Sequence, residues 1–219
     1  LALSRDLGVS YKAAFVLLHK LREAMAEEMK GRVVGGEGKT AEIDGGYFGG
    51  YVKPRNLAEN RVDRRLAIHQ NGKRKVVVVI RERDGGSIPA VFRTEGAAQH
   101  WIKQRIAKGT VVNADEATSW DGLHGAFEMK RINHQEAYSF DGACTNMAEE
   151  YFSRLRRAEI GHHHHVAGDY LLRYAQEASW REDHRRMSNG DQVHRLAGLA
   201  MAKKTSVDFT GYWQRHVTP

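Results

Sequence analysis

Two aspartates lie within or directly after short apolar runs that are typical of β-strands. Asp44 is within the run 41–48, and Asp115 directly follows the apolar run 111–114. If these runs form neighbouring strands, the two carboxylates repel each other unless a cation lies between them. Oxygen ligands favour Mg²⁺ or Mn²⁺ over zinc. Two such ions about 3.5 to 4 Å apart can activate an attacking hydroxyl and stabilise a departing oxygen, which predicts phosphoryl transfer without a protein nucleophile.

A third metal ligand is expected from a helix that passes beside these strand ends. The segment 144–150 opens such a helix, and polar residues recur on one of its faces at spacings of three or four: Asn146, Glu149, Ser153 and Arg156. Asn146 or Glu149 would complete the metal site, and the sequence does not decide between them. The alternative for the basic end of this helix, Arg157 included, is a solvated charged face.

The elements that must position these residues follow a recognisable order. Strands are predicted at 40–48, 65–70 and 75–83, then a helix at 96–108 and a strand at 110–114 that stops at Asp115. Helices are predicted from 146 to 157 and from 167 to 186. This succession predicts an α/β protein of the ribonuclease-H-like class, in which a mixed sheet is flanked by helices.

The chain is predicted to have a small helical segment before this domain. Two helices are indicated at 1–29, with Ser10 as the N-cap of the second, and the glycine-rich stretch 31–39 has the composition of a flexible linker. We therefore divide the chain into a helical segment at 1–30, a linker at 31–39, a catalytic domain at 40–187 and a C-terminal tail at 188–219. Because Leu1 already falls within a helical motif, further residues are expected upstream.

The composition indicates which kind of partner the protein binds and in which cellular compartment it is expected. The formal charge of +7 and the pI near 9.5 favour binding to polyanions. The single cysteine, Cys144, excludes an internal disulfide or a cysteine-based zinc ribbon within this chain. Neither a membrane-spanning run nor a signal peptide is recognisable, so a cytoplasmic setting is predicted.

The motifs resemble those of the ISXO2-like insertion-sequence transposases, which belong to the broad DDE class. The resemblance covers nearly the whole chain in short blocks that occur in matching order: Glu42-Ile43-Asp44 with Tyr47-Phe48-Gly49-Gly50, Ala114-Asp115-Glu116-Ala117, Thr145-Asn146 with Glu149, then Ser153, Leu155, Arg156 and Arg157, and finally Gly161 and His164-His165-Val166. Three positions depart from the family pattern. Gly45 replaces an acid, Cys144 replaces a histidine, and Arg156 replaces a lysine, which keeps the charge but changes its geometry.

The resemblance implies a bacterial DNA transposase that cuts and joins strands at the ends of an insertion element. It assigns Asp44, Asp115 and either Asn146 or Glu149 as catalytic ligands of Mg²⁺ or Mn²⁺, with two ions expected, and Arg156 as a phosphate contact. Element ends and target DNA are the implied partners, a homodimer or higher oligomer on DNA is expected, and the protein would be nucleoid-associated. The alternatives are an inactive, transposase-derived DNA-binding protein and a nuclease of the same fold.

The leading helices resemble the helix-turn-helix-like segment that precedes this catalytic domain in the family. Tyr11 and Lys12, at the start of the second helix, would then lie near DNA, and Arg156 and Arg157 would add contacts from the catalytic domain. A plain helical hairpin is the alternative. The run His162 to His165 is not predicted to bind metal, because consecutive helical residues do not share a face.

Overall fold

The computed structural model describes residues 2–49, 55–62, 72, 74–132, 144–166, 168–206 and 208–211. Within these residues the helices and strands are, in chain order, α1 Ala2–Asp6, α2 Tyr11–Glu27, β1 Thr40–Phe48, β2 Lys75–Glu82, β3 Ser87–Phe92, α3 Gln99–Arg105, β4 Val111–Asp115, β5 Glu128–Ile132, α4 Asn146–Ala158, α5 Leu171–Asp183 and α6 Asn189–Ala202. The chain divides into two compact units. The first combines Leu1–Gly31 with His184–Pro219, and the second is Arg32–Asp183.

The second unit is built on a mixed sheet. Within the described residues its strand order is β3-β2-β1-β4-β5. β1 is antiparallel to β2 and parallel to β4, β3 is antiparallel to β2, and β5 is parallel to β4. The parallel pairing of β1 with β4 requires a crossover, which passes through β2, β3 and α3. This is the mixed sheet flanked by helices that the sequence predicts.

Helices cover both faces of the sheet. On one face α3 and the 3₁₀ turn Thr118–Leu123 pack against alternate residues of β1, β2 and β4, and on the other face α4 and α5 pack against the residues in between. Residues Val76 to Ile80 are all buried. A strand covered on both faces reads as a continuous apolar run, which explains why β2 lacks alternation in the sequence.

The first unit is helical and draws on both ends of the chain. The Ser10 hydroxyl caps α2 by accepting from the Ala13 N–H at 3.2 Å, and the Ser188 hydroxyl caps α6 by accepting from the Asp191 N–H at 3.1 Å. Arg195 of α6 donates to Glu28 at 2.6 Å. The segment predicted as a polar tail thus contains a helix that packs with α2.

The strand predictions were partly wrong. β1, β2 and β4 lie close to their predicted positions, whereas β3 and β5 were not predicted. The strand predicted at 65–70 lies outside the described residues. The helix predicted at 167–186 is shorter, since residues 168–170 form a turn before α5.

The glycine-rich stretch predicted as a flexible linker is held by the second unit. The Val34 N–H donates to the Arg105 carbonyl at 2.9 Å, and the Gly36 N–H donates to the Thr110 hydroxyl at 2.8 Å. Gly35 has a positive φ of 84°, and a Cβ there would lie 2.1 Å from Thr110 Oγ1. Here glycine serves close packing rather than flexibility.

Candidate active site

Asp44 and Asp115 lie on adjacent strands at equivalent positions. The parallel register pairs Thr40 with Val111 and Glu42 with Asn113. Asp44 and Asp115 each come two residues later, so they are neighbours and share the face occupied by Glu42 and Asn113. The α4 side of the sheet is that face, because both Glu42 and Asn113 contact residues 144–148. The predicted positions, mid-strand for Asp44 and strand end for Asp115, are those observed.

The Asp115 carboxylate is held by the turn that follows β4. Its Oδ1 accepts from the Trp120 indole N–H at 2.7 Å and from the Ala117 N–H at 3.2 Å. Trp120 is buried in the core. The carboxylate therefore has a fixed orientation at the end of β4.

Glu42 connects α4 to β1. Its carboxylate accepts from the Met147 N–H at 2.8 Å and the Ala148 N–H at 3.1 Å, and from the Arg83 guanidinium at 3.0 Å. The residue that precedes the helix, Thr145, makes no side-chain cap. The fully buried Glu42 carboxylate supplies that cap from β1. Because Glu42 is two residues before Asp44 in the same strand, it links the start of α4 to the strand that carries Asp44.

Of the two residues that could be the third ligand, Glu149 is half-buried and Asn146 is exposed. Glu149 Oε1 accepts from the Thr145 hydroxyl at 3.4 Å. The charge of Glu149 acts on Asp44 and raises its pKa. Asn146 is the first residue of α4. Its amide is neutral, so it has no charge that could shift the pKa of Asp44.

The pKa of Asp44 is raised from 3.8 to about 7. Burial is the main cause, and the negative charges of Asp115, Glu149 and Glu95 raise the pKa further, against a hydrogen bond from the Gly45 N–H at 2.7 Å. Three acids from separate parts of the chain therefore act on Asp44. Their convergence concentrates negative charge at this point of the sheet.

Glu95 was not predicted as a site residue. It lies between β3 and α3, and its Oε2 accepts from the Ser119 hydroxyl at 3.1 Å. Burial, followed by the charge of Asp115, raises its pKa, although the Ser119 hydrogen bond opposes the shift. In the sequence it is indistinguishable from any acid before a helix, so only the fold reveals its position.

The residues predicted as DNA contacts lie on two helices, one in each unit. Arg156 and Arg157 are exposed on the last turn of α4, where Arg156 lies 5.8 Å from the Phe152 ring and Arg157 donates to Ser153. Tyr11 and Lys12 begin α2 in the first unit. Their predicted contacts with DNA stay predictions.

A basic groove of about 780 Å³ includes Tyr47, near the end of β1, in its lining. It is lined by residues that include one aromatic ring and three cationic side chains: Tyr47, Gly72, Arg74, Lys75, Arg93, Thr94, Gly168 and Asp169. The Arg74 guanidinium lies 5.2 Å from the centroid of the Tyr47 ring. Among the described residues, Asp44, Glu95 and Asp115 are not part of the lining of this groove.

The donor chemistry of the site fits a hard cation. Asp44, Glu95 and Asp115 offer only oxygen, and none of them forms an ion pair with another described residue. Uncompensated carboxylates at this proximity attract a divalent ion. In the part of the chain that the structure describes, however, no group of three or more His, Cys, Asp or Glu side chains has an arrangement that would hold a metal ion.

The fold is of the ribonuclease-H-like class, and a comparison with known families identifies the domain. The family model described as ISXO2-like transposase domain matches residues 35–183, so the chain belongs to the ISXO2-like transposases and its second unit has the ribonuclease-H-like fold. No curated protein and no solved structure matches the chain. Among the described residues, no helix has the length and apolar character needed to span a membrane.

Proposed function

We propose that this transposase cleaves and joins DNA strands with two Mg²⁺ or Mn²⁺ ions held by Asp44, Asp115 and a residue of α4. The observation that carries the proposal is the position of Asp44 next to Asp115 on adjacent parallel strands, where burial and then the charges of Asp115, Glu149 and Glu95 raise the pKa of Asp44. When bound, the ions would activate the attacking hydroxyl and stabilise the departing oxygen. The remaining tasks fall to the side chains of this chain.

Glu149 is the better supported of the two α4 candidates. It is half-buried, and its charge acts on Asp44, whereas Asn146 is exposed. Glu42 would keep α4 in place through the Met147 and Ala148 amides. Trp120 would keep the Asp115 carboxylate turned toward the ions.

The DNA backbone would approach along the basic groove. Arg74, Lys75 and Arg93 give this groove positive charge, which suits a phosphate chain. Arg156 would contact phosphate farther along α4. Hydrolysis breaks one phosphodiester bond at the element end and frees a 3′ hydroxyl, and that hydroxyl then attacks a target phosphodiester, so each step breaks one P–O bond and forms another.

The test uses duplex oligonucleotides made from the genomic DNA on either side of the coding region. With Mg²⁺ or Mn²⁺ the parent protein is expected to give cleaved and joined products. Asp44→Asn is expected to lower cleavage by about a thousandfold, because the loss of metal-dependent charge stabilisation is worth several kcal/mol. Its DNA affinity, measured by gel retardation in EDTA, should stay within about twofold.

Asp121→Asn is the matched control. Asp121 lies on the turn beside Asp115 but is exposed and paired with Arg131 at 3.1 Å, so its loss should leave cleavage unchanged. Equal cleavage by the parent and Asp44→Asn would refute the assignment. Nicks without joined products would indicate a nuclease, and retention without cleavage would indicate a DNA-binding protein.

A further inference from the structure

The basic groove is built from the ends of three adjacent strands. Tyr47 of β1 pairs with Val76 of β2, and Val76 pairs with Phe92 of β3. Residues that flank these positions in the sequence complete the wall of the groove: Arg74, Lys75, Arg93 and Thr94. The groove therefore lies at the end of the sheet where β1 ends and β2 begins. Because β4 is parallel to β1, Asp115 at the end of β4 belongs to the same end of the sheet.

Tyr47 presents a flat surface in this groove. It is 41% exposed, although its neighbour in the strand, Phe48, is buried. In the described part of the chain Tyr47 belongs to neither hydrophobic core, whereas Phe48 belongs to one of them. The Arg74 guanidinium lies 5.2 Å from the centroid of the Tyr47 ring. An aromatic ring and a guanidinium are the two planar groups on which proteins stack unpaired bases.

Positive charge surrounds the Tyr47 ring. The described lining contains three cationic side chains and one acid, Asp169, which leaves a net charge of +2. The Asp169 side chain is 95% exposed and lies 3.9 Å from Lys75 Nζ, so it neutralises little of this charge. Lys75 is held in place because it donates to the Gly168 carbonyl at 3.2 Å. The groove therefore attracts phosphate, and its volume is within the range of roughly 300 to 1,000 Å³ in which pockets enclose a small ligand.

A planar platform within a basic groove favours a single strand over a duplex. In a duplex the bases are stacked on one another, so a protein reaches only the phosphates and the base edges. Such a partner would use the cations but not the exposed Tyr47 ring. Tyr47 is three residues beyond Asp44, about 10 Å along an extended strand, and the two side chains lie on opposite faces of β1. A strand bound in the groove would therefore cross the end of the sheet to reach Asp44.

We propose that the groove binds a single-stranded segment of the DNA, with one unpaired base stacked on the Tyr47–Arg74 pair. The inference rests on the proposed function, since it names the state in which DNA reaches the same domain. Lys75 and Arg93 contact the phosphates on either side of the stacked base. Tyr47 is a positioning residue: it sets the register of the strand and takes no part in the chemistry.

The primary test is the fluorescence anisotropy of a labelled single strand, and of the same strand in a duplex, titrated with protein in EDTA. Tyr47→Leu should weaken single-strand binding about tenfold, because one stacked base is lost, and should change duplex affinity by less than about twofold. Tyr47→Phe keeps the ring and should stay within about twofold of the parent. Unchanged single-strand affinity in Tyr47→Leu, or equal losses for single strand and duplex, would overturn the proposal.

Arg181→Gln is the matched control for nonspecific charge. Arg181 is an exposed cation of α5 that pairs with Glu177 at 2.9 Å and is absent from the described lining of the groove. Its replacement should leave the preference for single strand over duplex unchanged. A loss of this preference in Arg181→Gln as large as that in Tyr47→Leu would contradict a specific role of the groove.

The salt dependence of binding separates stacking from charge. Arg93→Gln should lower the slope of log affinity against log salt concentration by about 0.7, because one phosphate contact is lost. Tyr47→Leu removes no charge, so its slope should equal that of the parent, and a lower slope would contradict stacking.

DNA cleavage distinguishes this inference from the proposed function. If the parent binds single strands through Tyr47 but yields no cleaved DNA, only the proposed function fails. If the parent cleaves DNA and Tyr47→Leu binds single strands as tightly as the parent, only the role of the groove fails.

Discussion

The second unit contains two groups of acidic residues, one that forms ion pairs with arginines and one that forms none within the described residues. At the end of α5, Glu182 pairs with Arg81 at 3.0 Å and with Arg154, and Asp183 pairs with Arg32 at 2.7 Å. We call this the paired group. The uncompensated group is Asp44, Glu95 and Asp115, whose carboxylates accept hydrogen bonds but form no ion pair within the described residues.

The difference shows which negative charges serve the fold. A buried carboxylate is costly unless it is paired, and in the paired group the chain supplies arginine for this purpose. In the uncompensated group the cost remains and appears as the raised pKa of Asp44. Such a cost is expected where the compensating charge comes from solution. Glu42 lies between the two cases, since it pairs with Arg83 but also caps the helix that carries Glu149.

The largest effect on stability is expected from breaking the paired group. Glu182→Gln leaves Arg81, which is almost fully buried, without its counter-charge, and the free energy of unfolding should fall by about 3 kcal/mol. Urea denaturation followed by tryptophan fluorescence measures it, because Trp101, Trp120 and Trp180 all lie in the second unit. A loss below about 0.5 kcal/mol would show that pairing is not what stabilises these acids.

A smaller effect is expected at Glu42. Glu42→Asp shortens the side chain and weakens the cap, and it should cost about 1 kcal/mol. Hydrogen exchange of the Met147 and Ala148 amides should become faster, while the amides in the middle of α5 stay as protected as in the parent. Unchanged protection of both α4 amides would mean that Glu42 does not fix the start of this helix.

Secondary-structure elements that depend on a local sequence pattern could be predicted. β1 and β4 could be predicted because each is a short apolar run with an acid at a defined place. β3 was missed because Pro89 argues against a strand, although it is tolerated here at the edge of the described sheet. β5 was missed because Glu128, Lys130 and Arg131 give it a polar sequence.

Features that depend on distant contacts could not be predicted. Glu95 is fifty positions from Gly45, and neither residue signals the other in the sequence. The same holds for Glu42, which caps a helix more than a hundred residues later. A Cβ at residue 45 would lie 2.7 Å from Glu95 Oε1. Only a glycine at this position therefore leaves room for the Glu95 side chain.

The central claim is that the uncompensated group binds a divalent cation. The most direct test is the free energy of unfolding of Asp44→Asn and of the parent as a function of pH and Mg²⁺ concentration. Because the pKa of Asp44 is about 7 in the folded chain against an ordinary 3.8, its contribution to stability is fully present below about pH 4 and is lost as the pH rises through 7. The whole shift corresponds to about 4 kcal/mol, part of which salt screens.

We therefore predict that, without metal at pH 8, Asp44→Asn is more stable than the parent by about 1 to 2 kcal/mol. The advantage should shrink as the pH falls toward 4, and millimolar Mg²⁺ at pH 8 should stabilise the parent more than the variant. Urea denaturation of both proteins, with EDTA or Mg²⁺, measures these differences. An Asp44→Asn variant that is less stable than the parent at pH 8 without metal, with the same response to Mg²⁺, would contradict the claim.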